Sequence, residues 1–86
     1  MFYLYILHSE KNGRFYVGST AILTDRILRH NQGRSKATKA GIPWSLVYTE
    51  EFDSRAKAMK REMEIKAWKS HQRIALLVSA SRSDGL

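Results

Sequence analysis

The chain has 86 residues, no cysteine, and 15 Lys+Arg against 8 Asp+Glu, giving a formal net charge of +7. That length holds one small domain that buries only about 60–65% of its unfolded surface, and without thiols it has neither disulfide staples nor Cys-based zinc sites. No apolar run approaches the roughly 20 residues of a membrane span, and the N-terminus lacks a basic n-region and a small-residue cleavage site, so the expectation is a soluble cytoplasmic protein without a membrane partner.

Residues 2–8 and 14–18 are β-prone and bracket Lys11-Asn12-Gly13, a turn signal with Gly where positive φ is cheap. The spacing predicts a hairpin. Leu23 to Asn31 has helical spacing, and Gly33 is a natural stop. The small, basic and turn-rich stretch 33–43 (GRSKATKAGIP) predicts a loop. Trp44 to Phe52 carries a third β-prone run, and Ser54 is placed to cap a long helix from Arg55 to Lys69. Ser70 is placed to cap a last helix through Val78. The expected organisation is a single domain over 1–78 with a flexible tail at 79–86. The order β-β-α-β-α-α, three strands with helices against them, makes an α+β sandwich.

Charge is unevenly distributed along this order. Between Asp25 and Glu50 there is no carboxylate, while Arg26, Arg29, Arg34, Lys36 and Lys39 all fall inside. A one-sided segment suits a polyanion, nucleic acid foremost, better than scattered charge does. The alternative is a solubilising surface with no partner.

Polar residues also stand where core residues belong. The inward stripe of the first helix is Leu23, Arg26, Ile27 and His30. Either Arg26 snorkels beside a satisfied boundary histidine, or a guanidinium and an imidazole point together into a cleft. A guanidinium suits phosphate because its planar fork matches two oxygens and stays charged. On the long helix Lys57, Lys60, Arg61 and Glu64 define a solvent face, and Glu62 points away from them. Buried, it requires a cation: Lys66 at i+4, or a divalent metal of the kind that uses one or two protein carboxylates plus water and phosphate. In the hairpin, Tyr5 and Tyr16 share a sheet face as cross-strand or diagonal neighbours. Gly18 leaves room for a close approach there.

These residues resemble the GIY-YIG nuclease superfamily. Tyr3-Leu4-Tyr5 stands where Gly-Ile-Tyr would be and Tyr16-Val17-Gly18 where Tyr-Ile-Gly would be, with ten residues between Tyr5 and Tyr16. Arg26 follows ten residues after Tyr16, His30 one helical turn later, and Glu62 opens EMEIK on the long helix. YVGST, RILRHNQG and AMKREMEIKAWK look most like the small stand-alone bacterial branch.

The resemblance implies a three-stranded antiparallel sheet flanked by helices and a Mg²⁺- or Mn²⁺-dependent phosphodiesterase. By the same resemblance Tyr16 would take a proton from the attacking water, and Tyr5 would position that water or the phosphate. Arg26 would hold the phosphate, His30 would assist proton movement, and Glu62 would be the metal ligand. A phenol titrates near pH 10 and is a weak base at neutrality, so such hydrolysis needs the metal as much as the tyrosine.

The chain departs from the family pattern at Tyr3, which replaces a Gly, and at Ser19, where many relatives carry a basic residue. With no helix-turn-helix legible, the expected activity is a structure-directed endonuclease on DNA, in repair or recombination. Lys36 and Lys39 are the candidate phosphate contacts beyond the cleft. Two alternatives stand beside it: a non-catalytic nucleic-acid-binding module that keeps the fold, and an adaptor using the basic helix face 57–61.

Overall fold

The computed structural model describes residues 1–84, with side chains through Ser81. Strands β1 (Phe2–Ser9), β2 (Phe15–Thr20) and β3 (Trp44–Phe52) form an antiparallel sheet in the order β2-β1-β3. Helices α1 (Leu23–Asn31), α2 (Arg55–Ala67) and α3 (His71–Asp84) complete the expected β-β-α-β-α-α order. The anticipated loop contains one short 3₁₀ turn, Lys39–Gly41. Among the described residues no helix is long and apolar enough to cross a membrane.

Local chemistry sets the boundaries. At the hairpin turn the Ser9 hydroxyl accepts from the amides of Lys11 and Asn12 (both 3.1 Å), and Gly13 takes φ +77°. α1 ends where Gly33 adopts φ +76°. Ser54 caps α2 by accepting from the Lys57 amide at 3.2 Å, and Ser70 accepts from the Arg73 amide at 3.2 Å.

The predicted end of the last helix at Val78 is corrected: α3 continues to Asp84. No Gly or Pro stands between Val78 and Gly85, so nothing stops the helix where the apolar spacing fades. Of the tail expected at 79–86, residues 85–86 lie outside the described residues.

The central strand is covered on both faces: Leu4, Tyr5, Ile6 and Leu7 are each 0% exposed. Alternation sends Leu4 and Ile6 to one side, where they pack with Val17, Ile65 and Val78, and so against α2 and α3. Tyr5 and Leu7 go to the other side with Trp44, under Tyr16, Leu23, Ile27 and Ile42. A β-bulge decides Trp44's place. The register steps from Ile6↔Tyr48 to Leu7↔Leu46, leaving Val47 as the extra residue. Strict period-2 alternation would put Trp44 on the side of Tyr48; the bulge moves it to the Tyr5 side.

The solvent face predicted for α2 also changes. Arg61 is half-buried, and its Nε donates to Glu50 Oε1 at 3.0 Å while a terminal nitrogen donates to Oε2 at 3.1 Å. The Tyr48 hydroxyl donates to the same carboxylate. The guanidinium lies 5.8 Å from the Trp68 ring centroid, with Arg73 at 4.4 Å from that ring. Arg61 leaves the exposed face because a carboxylate on β3 and an indole await it inward. Lys57 and Lys60 stay exposed.

Candidate active site

Tyr5 occupies the middle of the central strand, opposite Gly18, and Tyr16 pairs with Leu7. The two tyrosines are therefore diagonal neighbours on one face, with ring centroids 6.3 Å apart. A Cβ on Gly18 would lie 2.5 Å from the Tyr5 hydroxyl oxygen and 2.6 Å from Cζ. The glycine is thus the floor on which the Tyr5 ring lies, rather than an opening for a ligand.

α1 crosses this face and brings Arg26, Ile27 and His30 down onto it. His30, 3% exposed, lies tilted against the Tyr16 ring with centroids 4.8 Å apart, and its Nε2 is 3.0 Å from the Tyr5 hydroxyl. Its Nδ1 is 2.8 Å from Thr38 Oγ1. Burial, and secondarily the Arg26 charge, hold the imidazole below its ordinary pKa, so the ring is neutral at neutral pH. Burial, then the neighbouring Tyr16 phenol, push Tyr5 up to about 12, against the opposing pull of Arg26. Tyr5 therefore keeps its proton and serves as a hydrogen-bonding group rather than a base.

A cavity of about 280 Å³ opens beside these groups, lined by Tyr16, Arg26, Arg29, His30, Arg34 and Ser35. The Nε of Arg26 is buried and has no hydrogen-bond partner. Glu62 stands apart from this lining: Ser19 Oγ donates to its Oε1 at 2.7 Å and Lys66 Nζ to its Oε2 at 2.6 Å. The Lys66 ammonium links the two regions, 5.7 Å from the Tyr16 ring centroid.

Of the residues expected from sequence, Tyr16, Arg26 and His30 share the cavity wall. Tyr5 lies beneath it, reaching it through His30. Lys36 and Lys39 are exposed and absent from that lining, where Arg29 and Arg34 stand instead. Lys66 takes the i+4 place beside Glu62 that helical spacing offers it. Two residues escaped sequence reasoning. Thr38 carries no motif that marks it. Asn31 holds the Trp44 backbone with both amide atoms, accepting from its N–H at 2.7 Å and donating to its carbonyl at 3.0 Å.

Sheet order, two-sided cover and this gathering of side chains define a class first: small α+β domains in which a tyrosine-bearing hairpin and a helix-borne arginine share one cleft. The family model described as the GIY-YIG catalytic domain matches residues 1–75, and the chain belongs to the GIY-YIG family. Members of that family are in general nucleases and typically use divalent metals.

A UPF0213 protein of Staphylococcus saprophyticus is 40% identical over 76 residues, covering 87% of this chain and 92% of that relative. One from Halobacterium salinarum is 36% identical over 77 residues, covering 88% and 99%. The solution structure of a UPF0213 protein from Bacillus halodurans superposes with TM-score 0.58 at 36% identity, over 93% of this chain and 85% of that one. The chain is thus similar to small single-domain proteins along nearly its whole length.

Proposed function

We propose that the cleft binds and hydrolyses phosphodiester bonds of nucleic acid, DNA in the first instance, as a metal-dependent endonuclease. One observation carries the reading: a buried Arg26 Nε–H without an acceptor, at the wall of a cleft that also presents Tyr16 and His30. A buried charged donor left unpaired is costly, and a phosphate oxygen supplies what it lacks. Arg26 holds the phosphate and meets the charge added in the transition state. Tyr16, exposed to the cleft, receives the proton of the attacking water. His30 and Tyr5 set the geometry of that wall.

Glu62 would hold Mg²⁺ or Mn²⁺. Carboxylate and Ser19 hydroxyl oxygens suit a hard cation, and Lys66 marks the carboxylate as a cation position. Among the described residues no group of three or more His, Cys, Asp or Glu gathers, so an ion there would draw its remaining ligands from water and substrate. When bound, such an ion supplies Lewis acidity and acidifies its water.

The lining contains three arginines and no carboxylate, which favours recognition of backbone and shape over base sequence. Branched or damaged DNA, as met in repair or recombination, is the substrate class this suits, in the cytoplasm.

One observation favours a second reading, a binding module without turnover: both Glu62 oxygens are already engaged by Ser19 and Lys66. The test is a panel of labelled single-stranded, duplex, flap, fork and four-way-junction DNAs with Mn²⁺. The parent is expected to cut at least one, and EDTA or Glu62→Ala to abolish cutting while binding persists. Binding without cleavage on every substrate would establish the second reading. Cutting by Glu62→Ala at the parent rate would sink the metal assignment.

A further inference from the structure

Thr38 lies in the basic loop, outside every motif of the sequence, yet it is 1% exposed and faces the active histidine. Its carbonyl accepts from Trp44 Nε1 at 2.7 Å and from the Gly41 amide at 3.0 Å, so its place is set independently of His30. Trp44 itself is brought to this face by the bulge at Val47. The hydroxyl of Thr38 then ends a chain that runs from Tyr5 through both ring nitrogens of His30.

A neutral imidazole offers one donor and one acceptor, so the chain has two possible directions. In one, Tyr5 O–H donates to Nε2, Nδ1–H donates to Thr38, and the Thr38 hydroxyl proton must point elsewhere. In the other, Thr38 O–H donates to Nδ1, Nε2–H donates to Tyr5, and the Tyr5 proton must point elsewhere. Arg26 stands one helical turn before His30 on the same cavity wall, and its charge acts on the Tyr5 hydroxyl beneath. A cation favours the lone pairs of the phenol oxygen turned toward it and the O–H turned away.

We infer that Thr38 is a positioning residue: it holds His30 in the Nδ1–H tautomer, which turns the Tyr5 hydroxyl proton onto Nε2 and its lone pairs toward Arg26. Acting through His30, the basic loop thereby fixes which way the Tyr5 hydroxyl is turned beneath the cleft. This is the outer partner that orients a functional imidazole, supplied here by a hydroxyl. The catalytic consequence rests on the nuclease reading; the tautomer does not.

The experiment is long-range ¹H–¹⁵N correlation on uniformly ¹⁵N-labelled protein, which distinguishes the protonated from the unprotonated ring nitrogen. In the parent, His30 is expected to carry its proton on Nδ1. Thr38→Val keeps the shape but leaves a buried Nδ1–H without an acceptor, so the proton should move to Nε2, and Thr38→Ser should restore the parent pattern. A parent spectrum with the proton on Nε2 overturns the inference even if Thr38→Val fails to fold, as does a folded Thr38→Val with the parent pattern.

On a substrate cleaved by the parent, Thr38→Val should lower kcat by about 10- to 100-fold, the usual range for outer-shell partners, with KM little changed and Thr38→Ser close to parent. A shifted tautomer with unchanged kcat overturns the positioning role. Absence of any cleavage by the parent counts against the nuclease reading and leaves the tautomer result to stand or fall alone.

Discussion

Among the described residues the two faces of the sheet hold one half-buried arginine each, and the surroundings of the two differ. On the α2 side the Nε of Arg61 is met: Glu50 takes it and a terminal nitrogen, and Glu64 lies 3.6 Å from the other as an ion pair. On the α1 side the buried Nε of Arg26 has nothing to donate to. Each arginine borders a cavity, but the one beside Arg61 is walled by the carboxylates Glu50 and Glu64. The cavity beside Arg26 has arginines, Tyr16, His30 and Ser35 in its lining and no carboxylate. An arginine whose Nε is met by a carboxylate contributes to stability, whereas one held in place with that buried donor unmet is arranged for something that arrives later.

Removing each guanidinium should therefore produce opposite phenotypes, and this is the largest effect expected. Arg26→Met keeps the stem and deletes the unmet donor. Cleavage should fall by about 10²- to 10³-fold, the usual consequence of losing one such electrostatic contact, while the urea midpoint stays level or rises. Arg61→Met should leave cleavage near parent and cost about 1–2 kcal/mol by urea unfolding, since a partly exposed charged hydrogen-bond pair is lost and Glu50 is left behind. If Arg26→Met destabilised the fold more than Arg61→Met and left the rate intact, the contrast between the faces would be reversed.

The same contrast explains how far the sequence could be read. Period-2 alternation and the Lys11-Asn12-Gly13 turn place Tyr5 and Tyr16 together, and 3.6-residue spacing places Arg26 and His30 on one helix face. Both rules are local. The bulge at Val47 is not: it depends on how β3 meets β1, and it alone brings Trp44 and then Thr38 to the histidine. Helical spacing turns Arg61 toward solvent because it says nothing of a carboxylate waiting on a strand. Tyr3, where the family has Gly, stands opposite Thr20 and Glu51 toward the end of the strand; nothing in its surroundings explains the replacement.

Titration probes the faces at smaller amplitude. Each carries a phenol pushed up to about 12: Tyr5 by burial and then Tyr16, Tyr48 by burial and then its bond to Glu50. The unfolded phenol releases its proton near pH 10, so both groups contribute stability that is whole below about pH 10 and is lost as the pH rises toward 12. Urea midpoints should fall over that window, less steeply in Tyr5→Phe and in Tyr48→Phe. His30 works on the acid side and on the cleft face. Its pKa is lowered in the fold, so its contribution is whole above about 6.5 and is lost as the pH falls through the folded value. Equal acid limbs in the parent and in His30→Gln would show that the imidazole is not desolvated as described.

The smallest effect lies in the salt dependence of binding, and it asks whether the basic charge is used evenly. Arg29 and Arg34 line the cleft, and Lys36 and Lys39 extend the same carboxylate-free segment beyond it. Lys57 and Lys60 stand on the far face, where Asp53 lies 3.0 Å from Lys57 and where Glu50 and Glu64 share their cavity. Carboxylates that near repel phosphate, so charge there is compensated locally. For duplex DNA each phosphate contact contributes about 0.9 to the slope of log K against log salt. Arg34→Ala should flatten that slope by about one, Lys36→Ala and Lys39→Ala by up to as much, and Lys60→Ala by nothing measurable. A slope that responded to Lys60 and ignored Arg34 would move the nucleic-acid surface to α2 and leave Arg26 without its proposed partner.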